Sequence, residues 1–128
     1  MMKFNKGQGL HDAQYHKDYD ENGKLVKSHG WIQYQFPSAA RVVRLKLVVR
    51  DDYGSNYPKT FTLSGSNNGS SFTTIQTFND SNQPDDGYGE ERYYDVSNNN
   101  FYTYYRITGT AFDDRFALAD IQMYGYKN

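Results

Sequence analysis

The stretch from Phe61 to Phe78 contains two strand-like runs on either side of a polar turn, and it restricts the possible folds more than any other part of the sequence. Phe61 and Leu63 alternate with polar residues, which is the two-residue period of a half-buried strand. Asn68-Gly69 is a typical turn dipeptide, because both residues adopt positive φ at low cost. Apolar residues recur among threonines after the turn. The stretch therefore predicts a β-hairpin in an antiparallel sheet, with its turn facing solvent.

The rest of the sequence repeats this pattern of short strands, with turn signals roughly every 8–12 residues and no helical period over a long window. Outside the hairpin, the predicted strands are Trp31–Phe36, Arg41–Arg50, Tyr93–Val96, Phe101–Thr108 and Leu118–Tyr126. In the strongest of them, the side chains predicted to share one face are Val43, Leu45, Leu47 and Val49. Pro37–Ala40 is predicted to be a turn, and residues 1–29 are predicted to be rich in loops. About seven short strands of this kind predict an antiparallel β-sandwich or barrel.

The composition excludes several classes of protein. With 128 residues the chain is expected to be one domain, 1–128, with a single core. The net charge of −1 and the scattered lysines and arginines argue against binding to nucleic acid. The chain has no cysteine, and no apolar run approaches the roughly 20 residues of a membrane span, so neither thiol chemistry nor membrane insertion is expected.

Met1–Asn5 lacks the apolar core of a signal peptide. If the domain works outside the cell, we therefore expect it to be a piece of a larger secreted protein or a virion component.

The sequence offers no set of residues for catalysis. The three histidines, His11, His16 and His29, have no zinc-binding spacing, and no serine lies in a G-x-S-x-G motif. Four acidic pairs fall in predicted loops, where they are either solvated loop charge or candidates for calcium binding and acid–base chemistry. These pairs are Asp51-Asp52, Asp85-Asp86, Glu90-Glu91 and Asp113-Asp114. We predict a protein that is not an enzyme.

Several stretches in the right order resemble the discoidin, or coagulation factor 5/8 type C, domains. The segments that carry the resemblance are Gly30–Phe36, Tyr57–Phe72, Tyr104–Ile107 and Ala119–Gly125. The resemblance covers Gly30–Tyr126 and implies a galactose-binding-like jelly roll, which is an all-β antiparallel sandwich. Residues 1–29 look shortened or divergent by comparison.

Within that family, the chain is similar to family 32 carbohydrate-binding modules, in which an arginine ends the second strand and an asparagine follows shortly after. Arg50 and Asn56 match those positions. An arginine fork bonds adjacent sugar hydroxyls, and an asparagine supplies both a donor and an acceptor. The resemblance also implies a histidine from an earlier loop and an aromatic platform from the last long loop. The residues considered for these roles are His29 or His16 for the histidine, Phe112 or Phe116 for the platform, and Tyr53 and Tyr57 beside them.

Structural roles are open for the same residues. Arg50 is placed for an ion pair with Asp51, Asp52 or Asp113, and Asn56 for a turn before Tyr57-Pro58. Phe112 and Phe116 are equally suited to anchoring their loop to the core.

The resemblance also implies a structural calcium. Asp20, in an aspartate- and glycine-containing loop, and the Ala119-Asp120 pair match the positions that hold it in the family. The tryptophan-x-serine element that normally follows that loop is missing here.

Three functions are compared after these exclusions. The first is a lectin-like module for a terminal galactose-type sugar, acting in adhesion or targeting as part of a larger, multivalent secreted, cell-surface or phage tail protein. The second is a structural or protein-binding domain of the same fold. Phospholipid binding ranks last, because the sequence shows no cluster of apolar residues with a basic rim.

Overall fold

The computed structural model describes residues 1–4, 10–19, 25–49, 57–84, 89–111, 118 and 120–128. Every regular element in these ranges is a β-strand, and all strand pairs are antiparallel, which confirms the all-β prediction. The strands are β1 (Met2–Phe4), β2 (Leu10–Tyr19), β3 (Leu25–Val48), β4 (Pro58–Ser66), β5 (Thr73–Asn79), β6 (Glu91–Asp95), β7 (Tyr102–Ala111) and β8 (Asp120–Lys127).

The long strand β3 belongs to both layers of a β-sandwich. Its first half pairs with β2 and β7, and β7 continues the layer to β4 and β5. Its second half pairs with β6 and β8, and β8 continues that layer to β1. The register against β7 breaks between Gln35 and Ala40, where Pro37 has no N–H to donate to the ladder. The predicted turn at 37–40 is thus a corner within one extended strand.

The predicted hairpin is confirmed as β4 and β5, but its turn is only partly exposed. Ser66 is buried, and its hydroxyl accepts the N–H groups of Asn68 and Gly69. Asn68 Oδ1 accepts the N–H groups of Ser70 and Ser71 at 2.8 and 2.9 Å. Gly69 alone in the turn has positive φ, at 75°. Side-chain acceptors therefore hold the turn together, as is common for serine and asparagine.

The prediction of loops in residues 1–29 is wrong where strands form, namely in β1, in β2 and in residues 25–29 at the start of β3. Leu10–Tyr19 forms β2, which pairs with the first half of β3 along its whole length, and Met2–Phe4 pairs with β8. The sequence of β2 is mostly polar, so it shows no clear two-residue period. Backbone pairing to a neighbouring strand decided its structure, in keeping with the context dependence of strand propensity.

The face assigned to Val43 is also wrong. Val42 is fully buried while Val43 is only half-buried, because the register against β8 shifts between Val42 and Arg44. An extra residue of this kind is a β-bulge, which reverses the alternation of side chains. Gly125 lies opposite the bulge.

The core lies between the two layers and is rich in aromatic rings. Phe4 packs against Phe36 at 5.1 Å between ring centroids, and Phe61 stacks on Phe78 at 4.9 Å. The fully buried side chains include Tyr57, Tyr105, Leu45, Leu47, Leu63 and Ile107. The described part of the chain contains no helix with the length and apolar character needed to cross a membrane.

Candidate functional site

Strand ends from both layers meet at one end of the sandwich, which we call the loop end. The cross-strand pairs found there are Val48 with Asp120, Pro58 with Ala111, and His29 with Thr110. A hydrogen bond between Tyr57 of one layer and Tyr94 of the other connects them. The described residues that flank segments 50–56 and 112–117, which are far apart in sequence, therefore lie at the loop end.

Most of the predicted sugar-binding residues belong to those two segments and lie outside the described residues. They are Arg50, Tyr53, Asn56, Phe112 and Phe116. His29 is placed by its backbone, which pairs with Thr110 on one side and with His16 on the other. The two histidines considered for the site are therefore cross-strand neighbours at the loop end. A single sugar pocket formed by these residues remains a prediction. The register is consistent with it, because the described flanking residues and the backbone of His29 lie at the same end of the sandwich.

Tyr57 is the exception, because the structure gives it a different role from the predicted ligand contact. Its side chain is fully buried. Its hydroxyl lies 2.6 Å from that of Tyr94, and the guanidinium carbon of Arg92 lies 5.0 Å from its ring centroid. With neither ring nor hydroxyl exposed, Tyr57 is anchored in the core directly before β4 and does not face a ligand.

A polar network surrounds Tyr57, and we call it the Arg92 cluster. Its members are Tyr57, Asp80, Asn82, Glu90, Arg92 and Tyr94. Arg92 Nη1 donates to Asp80 Oδ2 at 2.7 Å and to the carbonyl oxygen of Asn82 at 2.6 Å, while its Nε donates to the Glu90 carboxylate. Tyr94 also donates to Asp80 Oδ2, at 2.8 Å. The side chains of Arg92 and Asp80 are only 17% and 16% exposed, so this ion pair is partly desolvated.

The number of protons decides which hydroxyl donates in the hydrogen bond between Tyr57 and Tyr94. Because Tyr94 gives its single proton to the Asp80 carboxylate, it must accept from Tyr57. Burial raises the pKa of Tyr57 far above its ordinary value and that of Tyr94 to about 12, so both hydroxyls stay protonated near neutral pH. Burial alone would raise the pKa of Asp80, but hydrogen bonds from Tyr94, Asn82 and Arg92 and the charge of Arg92 outweigh it and lower that pKa.

We expect the stability of the protein to fall more steeply in acid than that of an Asp80→Asn variant. A carboxylate with a lowered folded-state pKa contributes stability above its unfolded-state pKa of about 4, and loses it as the pH falls through the folded-state value. Melting temperatures from pH 7 to pH 2 measure this slope. The control is Asp95→Asn, because Asp95 is 85% exposed and its surface pair with Arg44 contributes little. Equal slopes for the wild type and Asp80→Asn would contradict the prediction.

Of the residues predicted to hold a calcium ion, the structure describes only Asp120. Asp120 is half-buried, and its Oδ2 accepts from Gln122 Nε2 at 3.2 Å. Asp20 and Ala119 lie outside the described residues. No group of three or more histidine, cysteine, aspartate or glutamate side chains suited to a metal occurs in the described part of the chain. Calcium takes six to eight oxygen ligands, so the site depends on residues outside the described ranges and remains a prediction.

The acidic pair Glu90-Glu91 is engaged in ion pairs. Glu90 binds Arg92, and Glu91 lies 3.6 Å from Lys46. The other three acidic pairs lie outside the described residues. The sequence analysis missed Asp80, Arg92 and Tyr94. A weak signal for Arg92 and Tyr94 was present, namely a single arginine between two glutamates and two tyrosines, directly before the predicted strand Tyr93–Val96.

The sequence matches the family model described as F5/8 type C domain over residues 6–120. No curated protein matches it.

Among solved structures, the chain is similar to CpGH89CBM32-5 from Clostridium perfringens, in complex with GalNAc-beta-1,3-galactose. The TM-score is 0.71 at 11% identity, covering 97% of this chain and 100% of that one. It is also similar to the CBM32 of AlyQ in complex with 4,5-unsaturated mannuronic acid, with a TM-score of 0.65 at 16% identity, covering 97% and 98%. A third is chitosan-binding module 1 from a Paenibacillus chitosanase/glucanase, with a TM-score of 0.58 at 19% identity, covering 88% and 76%. At these identities the similarity establishes the fold, a discoidin-like β-sandwich.

Proposed function

Because the chain belongs to the F5/8 type C domain family, we propose that it is a non-catalytic carbohydrate-binding module that holds a terminal galactose-type sugar at its loop end. One observation supports the proposal, namely that the strand register brings the residues that flank segments 50–56 and 112–117 to the same end of the sandwich. Those segments contain the arginine, asparagine and phenylalanine residues that the sequence offers for a sugar. The solved modules of similar fold lend support, since one is in complex with GalNAc-beta-1,3-galactose.

The chemistry of these side chains suits a sugar. The fork of Arg50 donates to two neighbouring hydroxyls, and the amide of Asn56 both donates and accepts. A ring from Phe112 or Phe116 offers a flat apolar face for the CH face of galactose, and Tyr53 adds a hydroxyl beside an apolar ring. His29 contributes a further polar group from the strand next to β7. This set binds a neutral sugar and leaves it unchanged.

A single sugar makes few contacts, so the affinity of one domain is expected to be weak. Useful binding would then come from several copies of the domain in a larger protein or assembly, each raising the effective concentration of sugar for the next. An adhesion or targeting role on a secreted, cell-surface or phage tail protein fits this requirement.

The decisive test is an Arg50→Ala variant measured on a glycan array with the domain displayed multivalently. Loss of two charge-assisted hydrogen bonds is expected to weaken binding about 100-fold, with the melting temperature unchanged. The matched control is Arg44→Ala, which removes an arginine of β3 from an exposed pair with Asp95 and is expected to bind as the wild type does.

Two outcomes would contradict the proposal. If Arg50→Ala unfolds the domain, Arg50 is a structural ion-pair partner. If the multivalent wild type binds no glycan, the same fold serves as a structural or protein-binding domain.

A further inference from the structure

Val49 and Tyr57 flank segment 50–56, and we call them its two stems. One stem is bonded to β6 and the other to Glu90, the residue that precedes β6. Before the segment, the N–H of Val49 donates to the carbonyl oxygen of Glu90 at 2.9 Å. After the segment, the hydroxyl of Tyr57 bonds to that of Tyr94 at 2.6 Å. The ring of Tyr94 is itself held edge-on against Phe61 at 5.0 Å between centroids. The two attachment points are thus fixed relative to each other by β6 and the core.

Arg92 lies between these attachment points and touches each neighbour. Its guanidinium covers the ring of Tyr57, which is one stem, and binds the side chain of Glu90, whose carbonyl oxygen holds the other stem at Val49. The same group binds Asp80 Oδ2 and the carbonyl oxygen of Asn82, so it also fixes the segment that follows β5. Only the planar, multi-donor fork of arginine makes these contacts together, because the point charge of a lysine has no flat face and reaches fewer acceptors.

We propose that Arg92 is a positioning residue for sugar binding, which sets the separation and direction of the two stems of segment 50–56. The inference rests on the proposed function, because that segment contains Arg50 and Asn56. A weak site loses much of its affinity when a loop must be ordered as the ligand binds. By holding the stems in place before binding, Arg92 lowers this cost without contacting the sugar.

The test uses Arg92→Lys in the full chain, with galactose-bearing polyacrylamide as the probe on a biosensor surface. Binding is measured at a temperature where the wild type and the variant are both folded. We expect roughly tenfold weaker binding, the loss produced by one or two side chains that must be ordered anew. The control is Arg44→Lys, which makes the same chemical change at the exposed pair with Asp95 and is expected to have no effect.

Hydrogen exchange supplies a readout that does not depend on the sugar. In Arg92→Lys, amides of residues 50–57 are expected to exchange roughly tenfold faster, while core amides of β7 keep the wild-type rate, as in a local opening. If Arg92→Lys does not fold, Tyr57→Phe replaces it, since this variant loses only the hydroxyl bond to Tyr94 and keeps the ring.

The outcomes separate the two proposals. Wild-type binding by a folded Arg92→Lys, or unchanged exchange at residues 50–57, overturns the positioning role and leaves the proposed function intact. A wild type that binds no galactose-bearing polymer and no other glycan contradicts the proposed function and, with it, a role for Arg92 in sugar binding. Weaker binding by Arg92→Lys together with faster exchange at residues 50–57 supports both the positioning role of Arg92 and the proposed function.

Discussion

Replacing Gly125 with alanine is expected to lower the free energy of unfolding by at least ~3 kcal/mol, more than any other single added methyl group that we consider. A Cβ atom on residue 125 would lie 1.8 Å from the carbonyl oxygen of Arg41 and 3.0 Å from the Cα atom of Val42. Both atoms belong to the backbone of β3, so no side-chain rotation relieves the overlap. Strands β3 and β8 would have to separate at the bulge, and their ladder of hydrogen bonds would weaken. Urea unfolding followed by circular dichroism measures the loss.

Gly65→Ala is the matched comparison for this prediction. Its added Cβ would meet the ring of Tyr102 at 2.3 Å, which is a side chain able to turn away in part. We therefore expect a smaller loss, on the order of 1–2 kcal/mol. If Gly125→Ala is as stable as the wild type, or less damaging than Gly65→Ala, then the two strands are not held as close together as the structure places them.

The sequence predicted three strands near their observed bounds, namely β4, β5 and the closing strand β8. In β4, the burial of alternate side chains gives a clear two-residue period. The polar strand β2 has no such period, since its partner β3 provides the hydrogen bonds that define it. The bulge at Val43 was hidden for a related reason. It depends on Gly125 in another strand, and no local pattern reveals that contact.

In the candidate site, too, local sequence predicted some residues, and residues joined by long-range contacts were missed. Arg50 and Asn56 were identified from a local spacing that a family shares, and the register accounts for where their segment begins and ends. The Arg92 cluster could not be found in this way, because Tyr57 and Tyr94 are 37 residues apart and Arg92 and Asp80 are 12 apart. Contacts of this kind depend on the completed sandwich and leave little trace in the local sequence.

The corner at which β3 passes from one layer to the other depends on one buried hydroxyl. Tyr105 of β7 is fully buried and donates its hydroxyl proton to the carbonyl oxygen of Ala40. The hydroxyl oxygen of Tyr105 also accepts from the N–H of Val42 and from Asn98 Nδ2, each at 3.2 Å. Asn98 in turn donates to the carbonyl oxygen of Val42 at 3.1 Å. Three backbone groups of the corner are therefore satisfied by two side chains that follow it by more than 50 residues in the sequence.

Tyr105→Phe is expected to lower the free energy of unfolding by about 3 kcal/mol, because it leaves two buried backbone groups without this partner, at about 1–3 kcal/mol each. The ring and its packing are kept, so the loss reports on the hydroxyl alone. Urea unfolding of this variant, of Asn98→Ala and of the double variant would show strong coupling between the two positions. Both side chains bond to the backbone of Val42, and they also bond to each other. The control is Tyr93→Phe, whose ring is 56% exposed and whose hydroxyl lies 3.5 Å from Glu91, and it is expected to change stability by less than ~0.5 kcal/mol. A loss below ~1 kcal/mol for Tyr105→Phe, or additive effects in the double variant, would mean that other groups can satisfy the corner and that the hydroxyl does not determine how β3 joins the two layers.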